Sequence, residues 1–216
     1  MPHPSIIQVR DFGEEDDTLY TVTELIEGPS LAEVLDAEAP FEWPRTRVLG
    51  GQLIGASAAM HRRSTLICGV NPAIIRMTTD EEGERLMMST GGVSEMKELL
   101  ASLSDEEVRG GELSDRQLPY IAPEVLTGRH ADVAADIFAI GALLYQMATG
   151  IQPFAGRTLP ELLGAMMAGK PREPRELSPG MPQSAAACML RCLERDPQAR
   201  FLSAAELRDT WLAPHA

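Results

Sequence analysis

The chain has 216 residues, 44% of them hydrophobic, and a formal net charge of −13. That length can bury one sizeable core in one or two domains, and the acid excess weighs against non-specific nucleic-acid binding, which needs phosphate-neutralising Lys and Arg. The longest apolar run, residues 137–145, ends at Gln146, too short for a bilayer span. The N-terminus carries Pro2, His3, Pro4 and then acidic residues, so no secretory signal and no membrane contact are expected, and the setting read here is cytoplasmic.

Residues 5–12 partly alternate, a turn starts at Gly13, and residues 18–25 are rich in β-formers. Together they predict a hairpin with an acidic loop. Ser30 is placed to cap a short helix through Leu35, with Glu33 at capping-box spacing. Residues 45–62 predict a longer helix on which Leu49, Leu53, Ala56 and Met60 form an apolar stripe. Two apolar runs, 73–77 and 85–88, flank an acidic turn at 79–84 and predict a second hairpin. Residues 92–118 are charged, with an amphipathic piece at 96–103. Helical patterns then fill 133–148, 158–168, 183–195 and 203–212, with Pro and Gly between them. Two hairpins followed mainly by helices make an α+β fold.

The cysteines are Cys68, Cys188 and Cys192, an odd and sparse set that fits a reducing compartment better than a disulfide framework. Cys188 and Cys192 share a helix face. A metal pair there lacks a His or a second pair at zinc spacing, and core packing is the preferred reading.

Ala122-Pro123-Glu124 and residues 136–141, 144–154 and 193–200, in that order, resemble the protein-kinase fold of bacterial-type serine/threonine kinases. Ala122-Pro123-Glu124, after Pro119 and Tyr120, resembles the APE motif. The segment from Asp136 to Gly141 resembles the start of the central buried helix, and residues 144–154 resemble its end and the following loop. Leu193-Glu-Arg-Asp-Pro-Gln-Ala-Arg200 resembles the segment whose Arg pairs with the APE Glu. Near the N-terminus His3-Pro4-Ser5-Ile6-Ile7 resembles the entry to the small lobe's fourth strand, and residues 19–28 resemble the fifth strand and hinge. The resemblance implies a kinase-like fold: a mainly helical large lobe at 29–216 and, at 1–28, a residual two-stranded remnant of the small lobe with the hinge.

The same resemblance lets each chemical position be tested. No lysine precedes Lys97, so the strand lysine that holds phosphates is not found. The HRD triplet falls on Ile67-Cys68-Gly69, and Gly69 has no side chain to act as base. The loop lysine falls on Asn71 and the metal-binding Asn on Ile74, with Pro72 and Ala73 matching. The metal-binding DFG triplet falls on Ser89-Thr90-Gly91, and a serine is a poorer magnesium ligand than a carboxylate. A literal Asp11-Phe12-Gly13 precedes the hinge and reads as a strand end and turn. Cys68, without a basic partner in its loop, reads as packing rather than as a nucleophile. Ser94, Ser102 and Ser104 lie in the activation-segment region, but Cys68 stands where the family's phosphate-pairing arginine would be.

The expectation is therefore a pseudokinase rather than an enzyme, degenerate and N-terminally truncated, with no cofactor and no metal, serving as a protein-interaction or regulatory scaffold. A weak nucleotide-binding switch is the alternative, and an enzyme with rearranged residues the third reading. Glu124, Arg200 and Asp136 are assigned structural roles. A lone hairpin is marginal in water, so Ile7, Val9, Leu19 and Val22 are expected to be covered by the large lobe, by a second copy or by a protein partner. Met166 and Met167 are a further possible contact surface.

Overall fold

The computed structural model describes residues 3–15, 18–89 and 117–213. Thr90, Gly91, residues 96–103, Ser94, Ser102 and Ser104 lie outside them. Two antiparallel hairpins come first, β1 (Val9–Glu15) with β2 (Thr18–Thr23) and β3 (Ile75–Asp80) with β4 (Gly83–Met88), each a separate two-stranded sheet. The helices of the described residues are α1 (Leu31–Glu38), α2 (Trp43–His61), α3 (Pro123–Leu126), α4 (Val133–Thr149), α5 (Leu159–Ala168), α6 (Pro174–Leu177), α7 (Gln183–Cys192) and α8 (Ala204–Leu212). Among these residues no helix is long and apolar enough to cross a membrane.

Local chemistry explains where the helices start. The Ser30 hydroxyl accepts the Glu33 N–H at 3.2 Å while the Glu33 carboxylate accepts the Ser30 N–H at 2.7 Å, a complete capping box for α1. Asp132, Thr158 and Ser203 cap α4, α5 and α8 in the simpler way. Helix α4 is apolar on nearly every side and buried along almost its whole length, as a helix at the centre of a core must be. Helix α2 lays Leu49, Leu53, Ala56 and Met60 into the same core. Helix α8 closes over α2, with Trp211 edge-on to Trp43 at 5.3 Å and its indole N–H on the Arg47 carbonyl at 3.0 Å.

The hairpins are joined through the backbone. The Ile7 N–H donates to the Met88 carbonyl at 2.9 Å and the Met88 N–H to the Ser5 carbonyl at 3.0 Å. The segment after β2 lies against β3, where the Met77 N–H donates to the Pro29 carbonyl at 2.8 Å. Gly28, at φ +137°, permits this approach: a Cβ there would stand 1.9 Å from the Met77 carbonyl oxygen.

Two expectations are corrected, and for Ile7 one of the alternatives, cover by the body, is met. Gly13 does not open the turn. It pairs with Tyr20 inside β1, and the strand runs to Glu15. The Tyr20 ring lies against the bare Gly13 backbone, where a Cβ would meet the hydroxyl at 2.5 Å, so the glycine is covered by its cross-strand neighbour. Met166 is 1% exposed and belongs to the core, because it continues the Leu159–Leu162 face of α5. Ile7 is buried, because the backbone bonds to Met88 draw it onto the helical body.

Candidate functional site

The site is built around the loop that follows α2. Asp136 is buried in the first turn of α4. Its Oδ2 accepts the Ile67 N–H and its Oδ1 the Cys68 N–H, each at 2.9 Å. The His61 Nε2, at the end of α2, lies 2.8 Å from the same Oδ2. The three contacts tie α2, the loop and α4 to one carboxylate. They also hold an unusual backbone: Cys68 has φ +46° and Gly69 φ +90°. A left-handed residue other than glycine costs about 1–2 kcal/mol, and two charge-assisted bonds are enough to offset it. The His61 Nδ1 is buried without a hydrogen-bond partner among the described residues.

Beyond this anchor the loop turns outward. Gly69 offers only backbone. Asn71 is buried, and both ends of its amide are engaged. Its Oδ1 accepts the Ala73 N–H at 2.9 Å, which caps the single 3-10 turn Pro72–Ile74, and its Nδ2 donates to the Gly69 carbonyl at 2.8 Å and to Gln117 Oε1 at 3.1 Å. Ile74 packs against the core, and its carbonyl accepts the Ser89 N–H at 3.3 Å. The fold thus brings Gly69 to Asn71 and Ile74 to Ser89. Among the described residues there is no group of three or more His, Cys, Asp or Glu side chains that could hold a metal ion.

A second buried polar centre stands beside α4. Arg200 grips Glu124 through two parallel bonds of 2.7 and 3.0 Å. It donates further to the carbonyls of Ala134 and Glu194, both at 2.8 Å, and its guanidinium lies 4.9 Å from the Phe138 ring centre. The fork of donors fits this convergence of oxygens as no lysine could.

Cys188 and Cys192 are buried on α7. Burial, with Cys188 adjacent, pushes the Cys192 thiol well above its ordinary range, so it stays a protonated, packing side chain. It packs where α7 meets α4 at Gly141, whose Cβ, were there one, would lie 2.4 Å from that of Cys192.

On the hairpin, Val9 and Val22 are exposed; the Leu19 side chain lies outside the described residues. Met167 is 43% exposed, and its carbonyl accepts a bond from Arg195 at 3.0 Å. Sequence reasoning singled out neither Gln117 nor the contact of His61 with Asp136, since nothing in helical periodicity marks either residue.

A family model for the protein kinase domain matches residues 1–212. The serine/threonine-protein kinase PkaA of Streptomyces coelicolor is 28% identical over 200 residues, which cover 93% of this chain and 35% of that protein. PknE of Mycobacterium tuberculosis is 28% identical over 96% of the chain and 35% of its own length, and PrkC of Bacillus subtilis 26% over 96% and 31%. The chain thus spans about a third of the length of these curated relatives. Among solved structures, Rad53 1-466 in complex with AMP-PNP superposes with a TM-score of 0.78 at 22% identity, covering 99% of this chain and 52% of that one. The kinase domain of Mycobacterium tuberculosis PknI gives 0.68 at 22%, covering 97% and 70%. The curated relatives correct the expectation that the chain is not an enzyme: they are serine/threonine protein kinases, and the family they represent is one of enzymes. With its model matched over nearly the whole length, the chain belongs to the protein kinase domain family.

Proposed function

We propose that this kinase-family chain works as a regulatory, protein-binding module in a bacterial cytoplasm. The observation that supports it is the β1–β2 hairpin. Phe12 is 81% exposed on one face of the hairpin, Tyr20 and Val22 are exposed on the other, Val9 is exposed where β1 begins, and Leu25, just after β2, is 86% exposed. Scattered surface apolar residues are ordinary, but a cluster on one small element marks a contact surface. Both strands pair only with each other among the described residues, and a two-stranded hairpin has little stability of its own.

Site-specific photo-crosslinking tests this reading. A photoreactive phenylalanine analogue at position 12 is expected to give one discrete protein adduct in the cells of origin, either a partner or a second copy. The same group at the exposed position of Arg129, in the segment after α3, should give none. Equal, diffuse labelling from both positions would sink the proposal.

A second reading is a nucleotide-dependent activity, favoured by the relatives named as serine/threonine protein kinases and by the fold shared with an AMP-PNP complex. Calorimetric titration with ATP and magnesium separates it. Saturable binding supports this second reading, and absence of heat and of thermal stabilisation counts against it.

A further inference from the structure

A groove of about 760 Å³ runs between the N-terminal segment and the last turns of α2. Its apolar lining comes from Ile6, Ile7, Val9, Ala59 and Met60, and its polar lining from His3, Gln8, Arg62, Arg63 and Thr65. The sign of the charge is the informative feature. The whole chain carries −13, yet the charged groups that line this groove are two arginines, with no Asp or Glu among the described lining residues. Arg62 is exposed and makes no ion pair among the described residues. Burial, and then the charge of Arg62, lower the pKa of His3. The geometry agrees, since His3 Nδ1 accepts the Ser5 N–H at 3.1 Å and must keep its lone pair. The positive charge at neutral pH therefore belongs to the arginines.

We infer that this groove docks an acidic, amphipathic segment of another protein, with an apolar side chain over Ile6, Val9 and Ala59 and a carboxylate on Arg62. The inference rests on the protein-binding reading above and names the chemistry of the partner. Volume and lining suit a few side chains: pockets of about 300–1,000 Å³ with an apolar floor and a few polar groups are the usual size for such recognition. A small inorganic anion would leave the apolar floor uncovered. A symmetric pair of this chain through the same face would set the two basic rims against each other, because a two-fold interface brings like patches together. Complementary charge steers the right partner and rejects a basic one.

Fluorescence anisotropy with the full chain tests the inference. The probes are three labelled synthetic helical peptides: one with leucines on one face and glutamates on the other, one with lysines replacing the glutamates, and one with serines replacing the leucines. The glutamate–leucine peptide is expected to bind at least about tenfold more tightly than either control, and Arg62→Glu to weaken it about tenfold, equivalent to ~1.4 kcal/mol. Ala59→Glu, which puts a carboxylate on the groove wall, should act in the same direction. Arg129→Glu, on a remote exposed loop, should not. Thermal melts of each variant show that the fold is kept. Equal binding of the glutamate and lysine peptides, or binding insensitive to both Arg62→Glu and Ala59→Glu, overturns the inference. So does a dimer seen by light scattering that Arg62→Glu dissolves, which would give the groove to a second copy. If the peptides fail while the position-12 crosslink still captures a protein, only the groove assignment falls; if the crosslink is empty as well, the protein-binding reading falls with it.

Discussion

Replacing Arg200 by methionine should be among the most damaging single changes in the chain. The Arg200 side chain is 0% exposed and that of Glu124 10%. Methionine matches the length of the stem but supplies none of the donors. The Glu124 carboxylate would lose both of its bonds, and the carbonyls of Ala134 and Glu194 would lose theirs. Removing one partner of a buried pair costs about 3–5 kcal/mol, because the remaining charge is left without compensation. For a domain of this size that corresponds to a fall in Tm of roughly 6–20 °C. Urea unfolding at neutral pH should show a lower midpoint with an unchanged slope. Glu124→Gln keeps the shape but strands the buried Arg200 charge and turns an amide NH2 toward one of its N–H donors, so its cost should also approach about 3–5 kcal/mol. The double variant Glu124→Met/Arg200→Met removes the stranded carboxylate and should be less damaged than the sum of its parts. An Arg200→Met cost below about 1 kcal/mol, or strict additivity in the double variant, would refute the argument that the pair is a desolvated unit.

Asp136→Asn leaves one oxygen where two amides converge, so either Ile67 or Cys68 loses its acceptor; a cost of about 2–3 kcal/mol is expected, with faster hydrogen exchange at those two amides, and unchanged exchange would contradict it. Gly28→Ala must either displace the Met77 carbonyl or abandon the left-handed φ, a destabilisation of about 1–3 kcal/mol from backbone strain before the clash is counted, readable as a lower Tm. The Ser30 N–H, then its hydroxyl, and Arg76 hold the Glu33 carboxyl below its ordinary value, against a small opposing effect of burial. A depressed folded pKa stabilises above the unfolded value and loses that contribution as pH falls through the folded one. The gap in Tm between the parent and Glu33→Gln should therefore be present at neutral pH and close in acid, and a gap that persists at low pH would count against the capping box.

Much of the fold could be read from periodicity and capping. The stripe on α2, the Ser30–Glu33 pair and the uninterrupted apolar run of α4 each express a local rule that tertiary structure reinforces. The misreadings arose where a local signal met a contact from elsewhere. Gly13 looks like a turn residue, but Tyr20 from the opposite strand covers it. Met166 and Met167 are adjacent and chemically alike; only the helical phase set by Leu159 and Leu162 separates the buried one from the exposed one. The four-residue helices α3 and α6 are too short to carry a periodic pattern, and they form where proline begins a turn that the body already supports. The groove had no sequence signature, because it joins residues 3–9 to residues 59–65.

The two buried polar centres explain how a fold of this family can hold its shape while its outward positions change. Asp136 grips the loop from the inside through the amides of Ile67 and Cys68, groups that every residue except proline possesses. That grip constrains the path of the backbone and is indifferent to the side chains at 67 and 68. Asn71 then fixes the next turn through its own amide. Arg200 plays the corresponding part for α3 and the start of α4, pairing with Glu124 and donating to the carbonyls of Ala134 and Glu194. Substitutions at Asp136 or Arg200 should register in unfolding, and those at Phe12 or Arg62 in binding.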